Sequence, residues 1–243
     1  MQHFHSYLGP NYAAHRRADP RIEALIQDAL GPSKTVANIG AGAGSYEPND
    51  RTVIALEPSD LMIKQRRIGA APVVCGTAMS LPFADDAFDA AMAILTIHHW
   101  PDRERGLGEM KRIARRCVVL TWIPPEKEFW LTRDYLPHFM EADKKLFPLW
   151  FDEDPDTVEV QTVPVPHDCR DGFLCAYWRR PEAYLNVEVQ RSISSFSRVG
   201  DYEKGLEKLR GDLSDRTWRN RNQDLLRKTS VDWGYRLVTL MRR

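Results

Sequence analysis

The chain is poor in cysteine. Its 243 residues hold four, Cys75, Cys117, Cys169 and Cys175, and no two are spaced C-x-x-C. Zinc centres are usually built on that spacing, so no metal ligand is assigned and no metal is expected. Cys169 and Cys175 are near enough in sequence to approach each other, but the reading adopted is reduced, half-buried thiols in a cytosolic protein. An excess of one charge is also missing: 34 lysines and arginines face 34 aspartates and glutamates. A surface that tracks phosphates is basic, so nucleic acid is not an expected partner, although a local basic groove stays compatible with the balance. There is no run of 18 apolar residues, so no membrane association is expected. Residues 1–10 are polar and histidine-bearing, with no apolar h-region, and a cytoplasmic location is the expectation. Repeats and low-complexity tracts are absent. What remains is ordinary globular composition, 43% hydrophobic and 28% charged, on a chain long enough for one α/β domain with insertions.

The most informative stretch is Val36-Ala37-Asn38-Ile39-Gly40-Ala41-Gly42-Ala43-Gly44-Ser45. An apolar run, read as a strand, ends in three glycines at alternate positions. Glycine there takes positive φ, and its missing Cβ lets a ligand approach the backbone. A strand running into such a turn, with a helix after it, is a nucleotide-type binding loop. A dinucleotide fingerprint starting at Gly40 needs a third glycine where Ser45 stands, and one starting at Gly42 needs it at Glu47. The glycine spacing therefore opposes an NAD(P) oxidoreductase.

Periodicity predicts a helix over 21–30, stopped by Gly31-Pro32, and strands over 35–39, 52–56, 72–75, 88–97 and 117–122. Helices are predicted over 59–67, with Ser59-Asp60 as cap, and over 102–115. Strands alternating with helices imply parallel βαβ units, whose ligands sit at the carboxyl ends of the strands. Gly40 to Gly44, Glu57, the segment from Gly76 to Met79 and that from Leu95 to Trp100 all lie at such ends. After Pro124-Pro125 aromatics become dense. Residues 126–147 are expected to be helical in their second half, 158–165 and 235–241 to be strands, and 173–185, 187–196, 202–213 and 215–227 to be helices. The division expected is an N-terminal arm over 1–20, a core over 21–122, a cap over 123–230 inserted around a late strand, and a final core strand over 231–243.

The G-x-G-x-G loop resembles motif I of class I S-adenosylmethionine (SAM)-dependent methyltransferases. The segment from Cys75 through Gly76-Thr77-Ala78-Met79-Ser80-Leu81-Pro82-Phe83 to Asp89 resembles the G-D-A-x-x-L-P-F-x-D-x-x-F-D segment of the ubiquinone/menaquinone-biosynthesis type (methyltransferase type 11). Ile94-Leu95-Thr96-Ile97-His98-His99-Trp100-Pro101-Asp102 resembles that family's segment after the fourth strand. The resemblance covers roughly residues 10–122. It implies a Rossmann-like, doubly wound, seven-stranded sheet, mostly parallel with an antiparallel final strand, plus a helical cap. It also implies SAM as cofactor and methyl transfer to a small-molecule O, N or C nucleophile. Gly40, Ala41, Gly42, Gly44 and Asn38 would form the cofactor loop. Glu57, followed by Pro58, would accept hydrogen bonds from the ribose hydroxyls. Thr77, Ala78 and Met79 would hold the adenine, with Ile94 and Leu95 beside them. Tyr12 and Arg16 would close over the methionine end. Asn38 and Thr77 depart from the family, which usually has acids there; both changes weaken the expected hold on SAM.

His98, His99, His167 and Asp171 are the candidates for orienting or deprotonating the acceptor, in no set order. The cluster from His167 to Tyr184 is the densest polar-aromatic stretch. Phe129, Trp130, Phe139, Phe147, Trp150 and Phe151 are expected to supply an apolar pocket wall. A SAM-binding protein without transfer activity, and a methyltransferase acting on RNA or protein, stay open as alternatives. The sequence sets neither the acceptor nor the oligomeric state.

Overall fold

The computed structural model describes residues 12–125, 128–146 and 158–242. A short helix α1 (Tyr12–His15) precedes α2 (Pro20–Leu30). Asp19 caps α2 by accepting from the Arg21 N–H, and Pro20 sits where a missing N–H leaves no bond unmade. Ile22, Ile26 and Leu30 recur at helical spacing and are buried.

The sheet has seven strands in the order β3-β2-β1-β4-β5-β9-β6. β1 (Thr35–Ile39), β2 (Thr52–Glu57), β3 (Val73–Cys75), β4 (Phe88–Ile94) and β5 (Ala114–Trp122) pair in parallel. β9 (Tyr235–Met241) pairs antiparallel with β5 and with β6 (Val158–Thr162). Only β9, the final strand, therefore runs against the rest, as the sequence led us to expect. Alternate residues serve opposite faces, as a pleated strand requires. Val36, Val118, Leu120 and Leu237 join α2 in one cluster. Ala37, Cys117, Val119 and Val238 face the other way, onto Leu107, Met110 and Ile113 of α4 (Arg103–Ile113).

Four expectations are corrected. No helix follows the glycine loop; residues 40–51 are turns and bends, and 76–87 likewise carry no helix. Three glycines each disfavour a helix by about 1 kcal/mol, and the adjacent Tyr46 and Glu47 are both drawn inward by partners a helix would not reach. The helix expected over 59–67 is α3 (Asp60–Lys64), because Arg66 leaves it to pair with Glu47. β4 stops at Ile94 rather than residue 97, since Leu95 takes φ 51°. Residues 173–180 form turns and only Pro181–Leu185 winds, as a 3₁₀ helix. A proline lacks the N–H of a continuing helix and keeps the preceding residue, Arg180, out of helical geometry.

The cap consists of α5 (Trp130–Asp134), α6 (Pro137–Leu146), α7 (Val187–Ser192), α8 (Ser194–Arg198), α9 (Glu203–Ser214), α10 (Thr217–Arg221) and α11 (Gln223–Leu226). A small ribbon of β7 (Val165–Pro166) and β8 (Ser230–Val231) adds to it. It shares one core with the α2 face of the sheet. Phe129, Trp130 and Phe139, expected as pocket wall, are buried in that core, while Phe147, Trp150 and Phe151 lie outside the described residues. The Trp130 indole N–H donates to Trp178 O at 2.9 Å and that of Trp178 to Val165 O at 3.1 Å. Each large ring thus satisfies its polar atom while filling the core.

Candidate functional site

Two cavities open at the carboxyl ends of the parallel strands. The first lies against the glycine turn after β1. Gly40 N and Ala41 N donate to Leu56 O at 2.8 and 3.0 Å, tying that turn to β2. A Cβ on Gly40 would stand 2.3 Å from Thr96 Oγ1, so no side chain fits. Gly42 has φ 53°, and its missing Cβ would meet nothing within 4 Å. Its backbone borders open space that any side chain would fill.

Glu57, at the end of β2, reaches under this turn. Its two oxygens accept from Gly42 N at 2.8 Å and Ser59 N at 3.0 Å. Each carboxylate oxygen has a second lone pair, and the residue borders the cavity. Asn38 donates to Glu47 Oε1 at 3.1 Å. Glu47 also accepts from Arg66 and from Ala71 N. The charge missing at Asn38 is thus carried one side chain away, by a buried Glu47–Arg66 pair that sequence reading did not single out.

Tyr12 and Arg16, N-terminal to α2, also border the cavity. Arg16 Nε donates to Asp171 Oδ1 at 2.5 Å and its Nη1 to the Tyr12 hydroxyl at 2.8 Å. Tyr46 donates to the other oxygen of Asp171 at 3.1 Å. Burial alone would favour a neutral Arg16, but Asp171 and Tyr12 outweigh it and hold the guanidinium more firmly protonated than usual. Burial raises the Tyr12 hydroxyl, which stays a phenol. The backbone is fastened too: Ser45 Oγ donates to Arg16 O at 2.6 Å, and Gly172 N to His15 O at 2.8 Å. Arg16 and Asp171, 155 residues apart, therefore join the arm to the cap.

The second cavity lies between the strand ends and the cap, and Tyr12, Arg16, Leu95 and His99 border both. Its apolar wall comes from Trp122, Phe173, Leu174, Ile193 and Tyr235. The Phe173 and Tyr235 rings lie 4.4 Å apart at 46°. Its polar wall includes a buried ion pair, Asp143 with Arg198. Burial raises the Asp143 carboxyl against the pull of Arg198, and burial lowers the Arg198 guanidinium. Ser195 donates to Asp143, and Arg198 Nη1 donates to Ser194 Oγ at 3.2 Å.

His98 and His99 form a 3₁₀ turn with Ile97 after β4, their rings 3.8 Å apart. Burial, then His99 and Arg198, push His98 well below the usual histidine range, so its imidazole is neutral. Leu95, whose left-handed backbone is costly for a side chain with a Cβ, is fixed by its N–H to Leu120 O at 2.8 Å.

Most expected site residues converge. Tyr12, Arg16, Asn38, Gly40, Ala41, Gly42, Glu57, Ile94, Leu95, His99 and Asp171 border the first cavity. His98 borders the second. His167 borders neither; it stands at the β7–β8 ribbon, its N–H given to Thr229 O. Gly44 turns toward Glu47 and Arg66 instead, and Pro58 is exposed. Thr77 pairs with Ser80 in a tight turn, Ala78 is buried, and Met79 packs toward Gly106, all outside the two cavities. Asp143 and Arg198 were not anticipated; nothing in their local sequence signals a pair across 55 residues. Among the described residues no cluster of His, Cys, Asp and Glu is arranged to hold a metal, and no helix is long and apolar enough to cross a membrane.

Residues 37–120 match the family model of a methyltransferase domain. A solved structure from Anabaena variabilis, a candidate methyltransferase of an antibiotic biosynthesis pathway, is 33% identical with a TM-score of 0.86, covering 94% of this chain and 99% of that one. Probable tRNA methyltransferase 9B of Mus musculus is 35% identical over 120 residues, covering 46% of this chain and 26% of its own length. Demethylmenaquinone methyltransferase of Corynebacterium kroppenstedtii is 29% identical over 113 residues, covering 45% of each. The chain thus spans less than half the length of these curated relatives. With the sheet order and glycine turn described above, these likenesses show that the chain belongs to the class I SAM-dependent methyltransferases.

Proposed function

We propose that this protein transfers a methyl group from SAM, bound in the first cavity, to a small-molecule acceptor bound in the second. The observation that carries this reading is the junction of the two cavities at Tyr12, Arg16, Leu95 and His99. Bound there, SAM supplies an electrophilic methyl on a sulfonium that leaves as a neutral thioether.

The residues suit that cofactor. The bare backbone at Gly42 leaves room beside the turn, and Glu57 keeps lone pairs for two ribose hydroxyls. Gly40, Ala41 and Asn38 line the same surface, with Ile94 and Leu95 opposite. Arg16, whose guanidinium also donates to Asp171, is the group for the methionine carboxylate. Thr77, Ala78 and Met79 stay assigned to the adenine on the family resemblance alone. The described residues of the N-terminal arm and of the cap between 123 and 185 serve as the cover that excludes water from the junction. Acceleration comes chiefly from alignment of nucleophile, methyl and sulfur, which a closed junction provides. Asp171, engaged by Arg16 and Tyr46, acts as a positioning residue. His98 and His99 stand nearest the acceptor.

A small molecule fits better than a nucleic acid, because the acceptor cavity is bounded by the cap and the chain carries no net charge. Four free thiols suit a reducing, cytoplasmic setting. Titration calorimetry with SAM, followed by a radiolabelled methyl assay on small-molecule pools, tests the reading. Gly42→Val is expected to abolish SAM binding in a folded protein. Undiminished binding by that variant would remove the first cavity as the cofactor site.

A further inference from the structure

A groove separate from both cavities runs along β2. Ala43 and Ser45 border it toward the carboxyl end of the sheet, and Thr52 and Pro72 toward the amino end. Residues between 14 and 20 and between 67 and 72 supply its sides. A crossover between parallel strands ordinarily lays a helix along such a face, but the crossover from β1 to β2 has only turns and bends. Six residues of β2 span about 20 Å, the length of an α-helix of about 13 residues.

The groove keeps an excess of positive charge after its ion pairs are counted. Glu47 is paired with Arg66, Arg51 with Asp50, and Asp168 with Arg21, which Asp19 also holds. Glu23 and the second carboxylate on Arg21 are left over. Against these two stand Arg17, Arg67, Arg170 and Arg180, which make no ion pair among the described residues. Arg17, Arg67 and Arg170 are exposed. The sides also carry apolar surface. Ile68 is fully exposed next to Ala70 and Pro72, and Ala14, Ala18 and Pro20 belong to the other side.

We propose that this groove docks an acidic amphipathic helix of a partner protein, which lies where the β1–β2 crossover lacks one, and that docking tightens the hold on SAM. The apolar stripe of the helix would cover Ile68, and its carboxylates would meet the guanidiniums of Arg17, Arg67 and Arg170. Residues 1–11 of this chain hold no acid to match those arginines. A nucleic-acid strand would find no free ring to stack on, because Tyr177, which borders the groove, is buried with Arg180 4.8 Å over its ring. The effect on SAM rests on the reading of the first cavity. Arg17 follows Arg16 in the chain, and Ala43 and Ser45 border both groove and first cavity. A helix held by Arg17 therefore steadies the segment that carries Tyr12 and Arg16, and the coupling works equally in both directions.

The probe is a fluorescent 14-residue peptide with leucines at helical spacing i, i+3, i+4, i+7 and glutamates between them, titrated into the full chain by anisotropy. It is expected to bind at least tenfold more tightly than the same peptide with glutamine for glutamate, and to weaken as salt rises. The triple variant Arg17→Gln, Arg67→Gln, Arg170→Gln is expected to abolish that preference, with its melting temperature read as a check of folding. Ile68→Ser, a single exposed change, is expected to weaken the peptide severalfold. Saturation with S-adenosylhomocysteine is expected to tighten it about fivefold. Equal binding of the glutamine peptide, equal binding of a scrambled peptide that breaks the stripe, or no effect of either variant would overturn the docking site. Phosphatidylserine vesicles bound through the same arginines, with the peptide unbound, would give the surface to a membrane and overturn it too. Sedimentation showing self-association that the triple variant abolishes would give it to a second copy, with the same consequence. Equal peptide affinity with and without S-adenosylhomocysteine would overturn the coupling. Failure of S-adenosylhomocysteine itself to bind would instead overturn the proposed function.

Discussion

Glu57 meets two demands at once. It holds the glycine turn through Gly42 N and the start of α3 through Ser59 N, and in the proposed function it also accepts from a ribose. Hydrogen bonds to a charged group contribute about 1.5–3 kcal/mol, so Glu57→Ala is expected to weaken SAM by roughly tenfold or more in calorimetry. Glu57→Gln, which keeps one oxygen, should lose less. An alanine variant within about twofold of the parent would mark Glu57 as a turn tether only. His98 makes a separate prediction at this scale. Its folded pKa lies well below 6.5, for burial first and neighbouring positive groups second. Below pH 6.5 the unfolded chain therefore binds a proton that the folded chain refuses, and stability falls as pH falls. The slope from this one group approaches about 1.4 kcal/mol per pH unit. Denaturation midpoints between pH 7 and 5 should fall less steeply in His98→Asn than in the parent; equal slopes would count against a neutral, recessed imidazole.

Among elements, the contact of arm and cap matters most. Arg16 and Asp171 are ion-paired with side chains 15% and 1% exposed. Removing one partner of a buried pair costs about 3–5 kcal/mol, because the other charge is left behind. Asp171→Asn is expected to lower thermal stability on that scale, and Asp171→Asn with Arg16→Met to recover part of it, read by melting temperature. Additive losses would show that the two side chains do not act as a pair. These elements also show what a sequence reveals. β1, β2, β4 and β9 are legible because strands covered on both faces read as mostly apolar runs. The bare crossover after Gly44 is not, since its conformation is decided by Tyr46 and Glu47 finding partners 125 and 19 residues away. The glycine turn and Glu57 were legible for the same reason as the strands: both sit at fixed distances from them. Asp143 and Arg198 come from α6 and α8, helices whose mutual placement no local pattern encodes. The aromatic richness of the cap was plain, yet which rings pack the core and which line the cavity depends on that same placement. Phe173 and Tyr235 face the cavity, while Trp130 and Trp178 do not.

At the scale of the molecule, one core runs from α2 across one face of the sheet into the cap. Cofactor binding at its rim should therefore be felt by the whole fold. A ligand at a hundred times its dissociation constant adds about 2.7 kcal/mol to stability, which for a chain of this length raises the melting temperature by roughly 5–10 °C. A single unfolding transition that shifts upward with SAM is the expected calorimetric trace. A shift confined to one of two separate transitions would show that core and cap unfold independently.

The shared border of the two cavities bears on how a turnover ends. In the proposed function SAM arrives with a positive sulfonium and leaves as a neutral thioether, while the carboxylate that Arg16 would hold is the same before and after. The end of the cofactor that changes is the one at the border, among Tyr12, Arg16, Leu95 and His99. Product and fresh cofactor then differ to the protein at the sulfur alone, and preference for one over the other is decided at that border.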